Sequence, residues 1–282
     1  MSTLMLVDQN QILLGAIFAT TRKQDDVDIS LIRHVFFRSI IALNKKFKPD
    51  DIVICGEGRS WRKDVYPHYK AHRKKGRDKS PYDFDKIFPM INQIIDEINE
   101  FMPWKAVSHK RAEADDIIGQ LGRRHAMSGG KVVIVSSDHD FKQLHEFGNV
   151  VQWNPTMKKL VRGEPGYLKT HIIKGDSGDG IENILTDGGT LITEGKRQTP
   201  IRKMFLDACM AMHEDELIAH PDLSENYQRN RELIDLSYTP QDIKLDINKM
   251  YDEYDGQGDR KKVFNYFIKN KLKNLMGDIN NV

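Results

Sequence analysis

Nine carboxylates stand where they could act together: Asp8, Glu57, Glu113, Asp115, Asp116, Asp138, Asp140, Asp176 and Asp179. Three groups of them follow short apolar runs. Val7 leads into Asp8, Cys55 into Gly56 and Glu57, and Val135 into Ser136-Ser137-Asp138-His139-Asp140. In open parallel sheets ligands bind beyond the carboxyl ends of the strands, so acids at several such ends meet in one pocket. Carboxylates do not crowd together ionised unless cations neutralise them. Oxygen donors without a supporting Cys or His cluster point to Mg²⁺ or Mn²⁺ rather than zinc. Two such ions, about 3.5–4 Å apart in two-metal sites, activate a water and stabilise the leaving oxygen of a phosphodiester. Any one of these acids alone is better read as a solvated surface group; the strand-end placement of the set favours a metal centre.

Glu113-Ala114-Asp115-Asp116 opens an expected helix over 114–124. A helix turns by about 100° per residue, so Glu113 and Asp115 share a target only if Glu113 precedes the first turn. Acids at a helix N-terminus are also favoured by its dipole, which would account for them without a metal.

A second feature is cationic. Residues 59–79 hold nine Lys/Arg against Asp64 and Asp78, a local charge of +7 in a chain whose formal net charge is only +2. Aromatics interleave with the cations. Arg62, Lys70 and Arg73 could grip phosphates while Trp61, Tyr66 and Tyr69 stack on unpaired bases, with Lys74 and Lys75 extending the patch. Segregated acid and base in a near-neutral chain suggest metal ions held by one and a polyanion by the other.

These residues need a frame. Apolar runs at 4–7, 52–55, 104–107 and 132–135, with 150–153 as a possible edge strand, alternate with amphipathic stretches at 29–44 and 84–101. Alternating strands and helices imply an α/β core with a mainly parallel sheet flanked by helices. Beyond about residue 172 the strand signal stops, and 204–219 and 259–276 read as helices, the second carrying Val263, Phe264, Phe267, Ile268, Leu272 and Leu275 on one face. The expected division is an α/β core over 1–172 and a helical region over 173–282. Charged residues at 30% and hydrophobic residues at 39% suit a soluble globular chain of 282 residues. No apolar run is long enough to span a bilayer, and the first ten residues lack the basic segment of a signal peptide. Two cysteines fit a reducing cytoplasm rather than a disulfide framework.

The ordered set V-D at 7–8, W-R-K-D-V-Y-P-H-Y-K-A-H-R at 61–73, E-A-D-D at 113–116, S-S-D-H-D-F at 136–141 and K-G-D-S-G-D at 174–179 resembles the flap endonucleases, the structure-specific 5′-nucleases with a PIN-like core. V-V-Q-W-N-P-T-M-K-K from 150 and L-I-D-L-S-Y-T-P from 233 are similar to the branch formed by the ribonucleases H of T-even bacteriophages. The resemblance implies a 5′→3′ exonuclease with flap activity that removes RNA primers and adjacent DNA from duplex nucleic acid. It implies Asp8, Glu57, Asp115 and Asp138 around a first Mg²⁺, and Glu113, Asp140, Asp176 and Asp179 around a second, with Asp116 as an auxiliary acid and Mn²⁺ as a substitute. Lys70 and Arg73 would meet the scissile phosphate, and Tyr69 would stack near the terminal base. Lys174, Gly175, Ser177, Gly178 and Gly180 would belong to a helix–three-turn–helix whose N–H groups cradle duplex phosphates. A single-stranded-DNA-binding protein as partner, a monomeric state and a host-cell cytoplasmic location complete the implied picture.

Two positions depart from the family pattern. The second strand is followed by Cys55-Gly56-Glu57 where the family has Asp; aligning I-V-I-C selects Glu57, counting back from Arg62 selects Cys55, and the carboxylate is the better hard-metal ligand. The turn after Asp179 lacks the family's Asn and Pro, which weakens the expectation of a bound K⁺. Competing readings are a noncatalytic nucleic-acid-binding protein and a PIN-type endoribonuclease. An unused acid cluster only costs stability, and PIN ribonucleases lack the basic arch and the helical C-terminal region.

Overall fold

Six strands form one sheet: β1 (Thr3–Asp8), β2 (Asp51–Cys55), β3 (Lys105–Val107), β4 (Lys131–Val135), β5 (Val150–Asn154) and β6 (Lys159–Val161). The computed structural model describes residues 1–21, 28–73, 80–254 and 258–282. Spatial order is β3-β2-β1-β4-β5-β6. All neighbours are parallel except β5 and β6, which are antiparallel. From β1 the chain moves outward through β2 and β3, then returns to the other side of β1 with β4. The strand order therefore reverses between β1 and β4, the place where an open α/β sheet leaves a crevice. Asp8 ends one of those strands and Asp138 follows the other.

Around the sheet lie α1 (Gln9–Thr20), α2 (Ile29–Phe47), α3 (Arg62–Val65), α4 (Phe84–Phe101), α5 (Ala114–Met127), α6 (Tyr167–Lys174), α7 (Lys203–Ala211), α8 (Glu214–Ala219), α9 (Ser224–Ile234), α10 (Gln241–Asp252) and α11 (Arg260–Lys269). The central strands are apolar on both faces because both are covered. Met5, Val7, Ile52, Ile54, Val133 and Val135 pack against α1, α2, α4 and α11. Leu4, Leu6, Val53, Val132 and Ile134 pack against α5 and α10. Each such side chain contributes roughly 1.5–3 kcal/mol on burial. A third core joins Tyr66 and Tyr69 to Ile172, Ile173, Ile184, Tyr227 and Leu233 of the C-terminal region.

Several expectations change. The strand at 150–153 is not an edge, because β6 covers it; β6 escaped notice because its K-L-V is too short and too exposed to alternate. The helix expected over 204–219 is two helices, interrupted at Met212 and His213. The stripe over 259–276 ends as a helix at Lys269, and Phe264 and Ile268 face solvent at 42% and 51% exposure. Ile243 and Ile247 of α10 and Val263 and Phe267 of α11 complete the two cores of the sheet. No helix among the described residues is long and apolar enough to cross a membrane.

One ion pair fastens this closure. Arg33 of α2 donates from Nε to Glu97 Oε2 at 2.7 Å and from Nη2 to Oε1 at 2.5 Å, while the Tyr266 hydroxyl of α11 donates to Oε2 at 2.6 Å. Burial works against the charged Glu97, but the bonds from Arg33 and Tyr266 outweigh it and hold its carboxyl below the usual range. The unfolded chain thus binds this proton more readily, so the stabilisation is present above the ordinary Glu value of about 4.3 and is lost as pH falls below it. Glu97→Gln should lower the unfolding free energy at neutral pH by about 2 kcal/mol. Its stability should also fall less steeply than wild type towards about pH 3.5. Urea denaturation at both pH values checks this; identical curves would remove the pair from the stability argument.

Candidate metal centre and nucleic-acid interface

Asp8 ends β1 and caps α1. Its carboxylate accepts from Gln11 N at 3.1 Å and from the Ser136 hydroxyl at 2.9 Å. The register that pairs Val7 with Val135 brings Ser136 level with it. Glu57 lies two residues past the end of β2. Glu113 sits in extended backbone immediately before α5, and the Asp116 carboxylate accepts from its N–H at 2.9 Å. Glu113 therefore precedes the first turn, the condition under which it and Asp115 can address one pocket. Asp138 follows β4, its Oδ1 accepting from Asp140 N at 2.9 Å.

The acids repel one another. Desolvation, then Glu113 and Asp8, push Glu57 up to about 7. Desolvation, then Asp140, push Asp138 up to about 6. Asp8 is raised by desolvation, and Asp115 well above its usual range by desolvation and then Asp138. Crowded carboxyls of this kind suit a divalent cation, which restores their charged form.

Lys70 reaches into this crowd. Its Nζ donates to Glu113 Oε1 at 2.6 Å and lies 3.3 Å from Asp179 Oδ2. Burial lowers the proton affinity of Lys70, but Asp179 and Glu113 more than reverse that, so it is charged. Lys70 holds a left-handed backbone, φ 54°, and its N–H donates to Asp179 O at 2.7 Å. Arg73, half-exposed, pairs with the Asp179 carboxylate. The Tyr69 hydroxyl bridges Glu113 Oε2 at 2.9 Å and Asp179 Oδ2 at 3.0 Å.

Beside these lies a second group that sequence reasoning missed. His139 and His171 join Asp140 and Asp176, with ligand atoms within 4.8 Å of one another. This group offers nitrogen as well as oxygen donors. His139 was in view inside the S-S-D-H-D-F motif; His171, five residues before Asp176, gave no signal until α6 turned it inward. Desolvation disfavours the imidazolium of His171, but Asp140 and Asp176 raise it to about 9. Burial opposes ionised Asp176, yet His171 holds it down at about 2.

Other expectations fail on geometry. Arg62 and Trp61 are buried, at 2% and 3% exposure, and face inward. Arg62 donates from Nε to Leu233 O at 2.7 Å and from Nη1 to Asp116 Oδ2 at 3.1 Å. Trp61 Nε1 donates to Asp116 Oδ1 at 3.1 Å, and the Thr239 hydroxyl donates to the same oxygen at 2.7 Å. Asp116 is thus a fully enclosed structural acid rather than an auxiliary ligand. Tyr66 and Tyr69 belong to the third core, with the Tyr66 hydroxyl donating to Glu182 Oε2 at 2.6 Å. The reason is common to all four: 60–70 forms the seam between the sheet and the C-terminal helices, where large amphipathic side chains bury their bodies and bond their tips. Cys55 is fully buried, its Sγ 3.8 Å from Val53 O, and stands within the sheet rather than beyond it. Lys74 and Lys75 lie outside the described residues.

The loop after α6 also differs. Gly175 has φ 67°, and a Cβ there would lie 2.5 Å from the Glu182 backbone, so the position requires glycine. Asp176 Oδ1 accepts from Gly178 N at 2.8 Å and Asp179 N at 3.2 Å, while Gly180 N donates to Ser177 O at 3.3 Å. These N–H groups serve the loop itself and are not presented to a phosphate. Lys174 and Ser177 remain exposed.

Because Arg62 is the buried counter-ion of Asp116 and Glu113, Arg62→Ala should cost about 3–5 kcal/mol of folding stability. Chemical denaturation checks this; unchanged stability with weakened polyanion binding would restore Arg62 to the surface.

A family model of the 5′-3′ exonuclease N-terminal resolvase-like domain matches residues 3–170, and one of the T4 RNase H C-terminal domain matches 167–282. Ribonuclease H of Enterobacteria phage T4 is 32% identical over 288 residues, covering 98% of this chain and 94% of that protein. A flap endonuclease Xni of Shewanella is 29% identical over 61% of this chain and 66% of its own length. Among solved structures, T5 5′-exonuclease with divalent metal ions (zinc) superposes with a TM-score of 0.62 at 17% identity, over 89% of this chain and 99% of that one. A bacteriophage T5 flap endonuclease in a pseudo-enzyme-product complex with DNA and metal ions gives 0.60 at 16% identity, over 89% and 100%. At such identities the structural likenesses carry the fold.

Proposed function

This chain belongs to the 5′-3′ exonuclease family, and from that membership we propose that it is a Mg²⁺-dependent 5′→3′ exonuclease and flap endonuclease acting on RNA primers and adjoining DNA at lagging-strand duplexes. The observation that carries the reading is the convergence of Asp8, Glu57, Glu113, Asp115 and Asp138 from separate strand ends and one helix start, with Lys70 paired into their midst. A noncatalytic binding protein would gain nothing from so repulsive a cluster. A PIN-type endoribonuclease is disfavoured because the likeness to phage ribonuclease H spans nearly the whole chain.

In this reading Asp8, Glu57, Asp115 and Asp138 hold a first divalent ion, and Glu113, Asp140, Asp176 and Asp179 contribute to a second. When bound, such ions supply positive charge that eases deprotonation of an attacking water and offsets charge on the departing oxygen. The protein's own part is positioning. Lys70 and Arg73 exchange their pairing with Asp179 for the non-bridging oxygens of the scissile phosphate, fixing it over the carboxylates. Tyr69, bonded to Glu113 and Asp179, holds these acids rather than stacking on a base. Ser136 keeps Asp8 oriented by donating to its carboxylate. Lys174 and Ser177, with Lys74 and Lys75, track the duplex backbone without reading sequence. Residues 1–172 then supply most of the ligands and both cations, and 173–282 add Asp176 and Asp179, place the duplex and close the core.

The test is cleavage of 5′-labelled strands on nicked, flapped and single-stranded substrates, with Mg²⁺ or EDTA. Short 5′ products from duplex-containing substrates are expected only with metal. Asp138→Asn should reduce cleavage roughly 10²-fold or more while leaving binding in EDTA nearly unchanged. Full activity in that variant, or binding without cleavage in any divalent metal, would end the proposal. Binding itself should weaken steeply with salt, and a flat salt profile would remove the phosphate-tracking role.

A further inference from the structure

His171 lies in the last turn of α6, is 9% exposed, and aims its Nε2 between two carboxylates. That nitrogen lies 3.0 Å from Asp140 Oδ1 and 3.6 Å from Asp176 Oδ2. His139 Nε2 stands 3.8 Å and 3.5 Å from the same two oxygens. We propose that Asp140, Asp176, His139 and His171 form a mixed nitrogen–oxygen cation site that selects Mn²⁺, Co²⁺ or Zn²⁺ over Mg²⁺, with His171 Nε2 as its buried nitrogen ligand. The inference rests on the nuclease reading only for the site's place in catalysis; metal selection by these four side chains stands on its own geometry.

Three observations carry it. The first is spacing. Ligand bonds of about 2.0–2.2 Å place neighbouring donors about 3.4 Å apart around a tetrahedral ion and about 3.0 Å apart around an octahedral one. The measured nitrogen–oxygen separations, 3.0–3.8 Å, bracket those edges. The second is unmet bonding. Asp140 Oδ1 and His171 Nε2 are both enclosed and neither has a hydrogen-bond partner. They approach to 3.0 Å as an ion pair, but the contact lacks the alignment of a hydrogen bond, so both atoms keep bonding capacity to spare. A shared cation meets both needs at once. The third is rigidity. The Tyr167 ring stacks on the His171 imidazole at 5.6 Å with 19° between planes, and the His139 ring meets it edge-on at 5.0 Å. A ligand held in this way loses little freedom on coordination.

The choice of ion follows from donor type. Mg²⁺ favours oxygen and keeps its waters, whereas imidazole suits later divalent ions. The carboxylates around Asp8 offer oxygen alone and have no such preference for nitrogen chemistry.

The measurement uses the metal-free full chain. Co²⁺ is titrated with visible absorbance as readout, Mn²⁺-loaded protein is examined by pulsed electron paramagnetic resonance for ¹⁴N coupling, and Mg²⁺ is the competitor. Wild type should show nitrogen coupling and a Co²⁺ band that excess Mg²⁺ does not erase. His171→Leu should reduce the coupling to that of His139 alone and bind Co²⁺ at least about tenfold more weakly. His171→Gln takes its place if thermal melting shows that the Leu variant is unfolded. Coupling absent from wild type, or persisting unchanged in the folded His171 variant, overturns the proposal. Mg²⁺-supported cleavage is scored separately: cleavage without nitrogen coupling removes this inference alone, and coupling without cleavage in any metal removes the nuclease reading alone.

Discussion

The structure depends on containing like charges at one end of a parallel sheet. The reversal of strand order between β1 and β4 brings Asp8 and Asp138 together, and the start of α5 adds Glu113 and Asp115. Repulsion at this distance would spread the loops unless something opposed it. Opposition comes from buried cations on a neighbouring segment, Lys70 against Glu113 and Asp179, and Arg62 against Glu113 and Asp116. The acids and the basic segment are two halves of one electrostatic object.

That pairing explains why the segment after β2 is built as it is. Trp61, Tyr66 and Tyr69 are buried in the surrounding cores, and their polar tips bond to Asp116, Glu182 and Glu113. The C-terminal region secures the far side: Asn230 donates from Nδ2 to Ile172 O at 2.9 Å and to Glu182 O at 2.7 Å, tying α9 to the loop that carries Asp176 and Asp179. A chain cut after the sheet would leave this seam uncovered.

Much of this was legible in the sequence because it repeats local rules. Short apolar runs marked five of the six strands, and acids following three of them marked the crevice. Spacing also anticipated Glu113 before the first turn of its helix. What remained hidden depends on contacts remote in sequence. Arg62 reads as a surface cation until Leu233, 171 positions away, accepts from its Nε. His171 reads as an ordinary helical residue until the loop turns Asp176 back upon it. The strand β6 and the break at Met212 failed for another reason: both are too short for periodicity to develop.

The left-handed turn at Lys70 joins the two halves mechanically. One hydrogen bond, from Lys70 N to Asp179 O, ties the backbone of the cation directly to that of an acid. An incoming anion that draws the ammonium group away uncovers Glu113 and Asp179 in the same movement. In the proposed mechanism the cage's demand for cations is therefore greatest when a phosphate has just arrived, so that the guest itself sets the order of assembly.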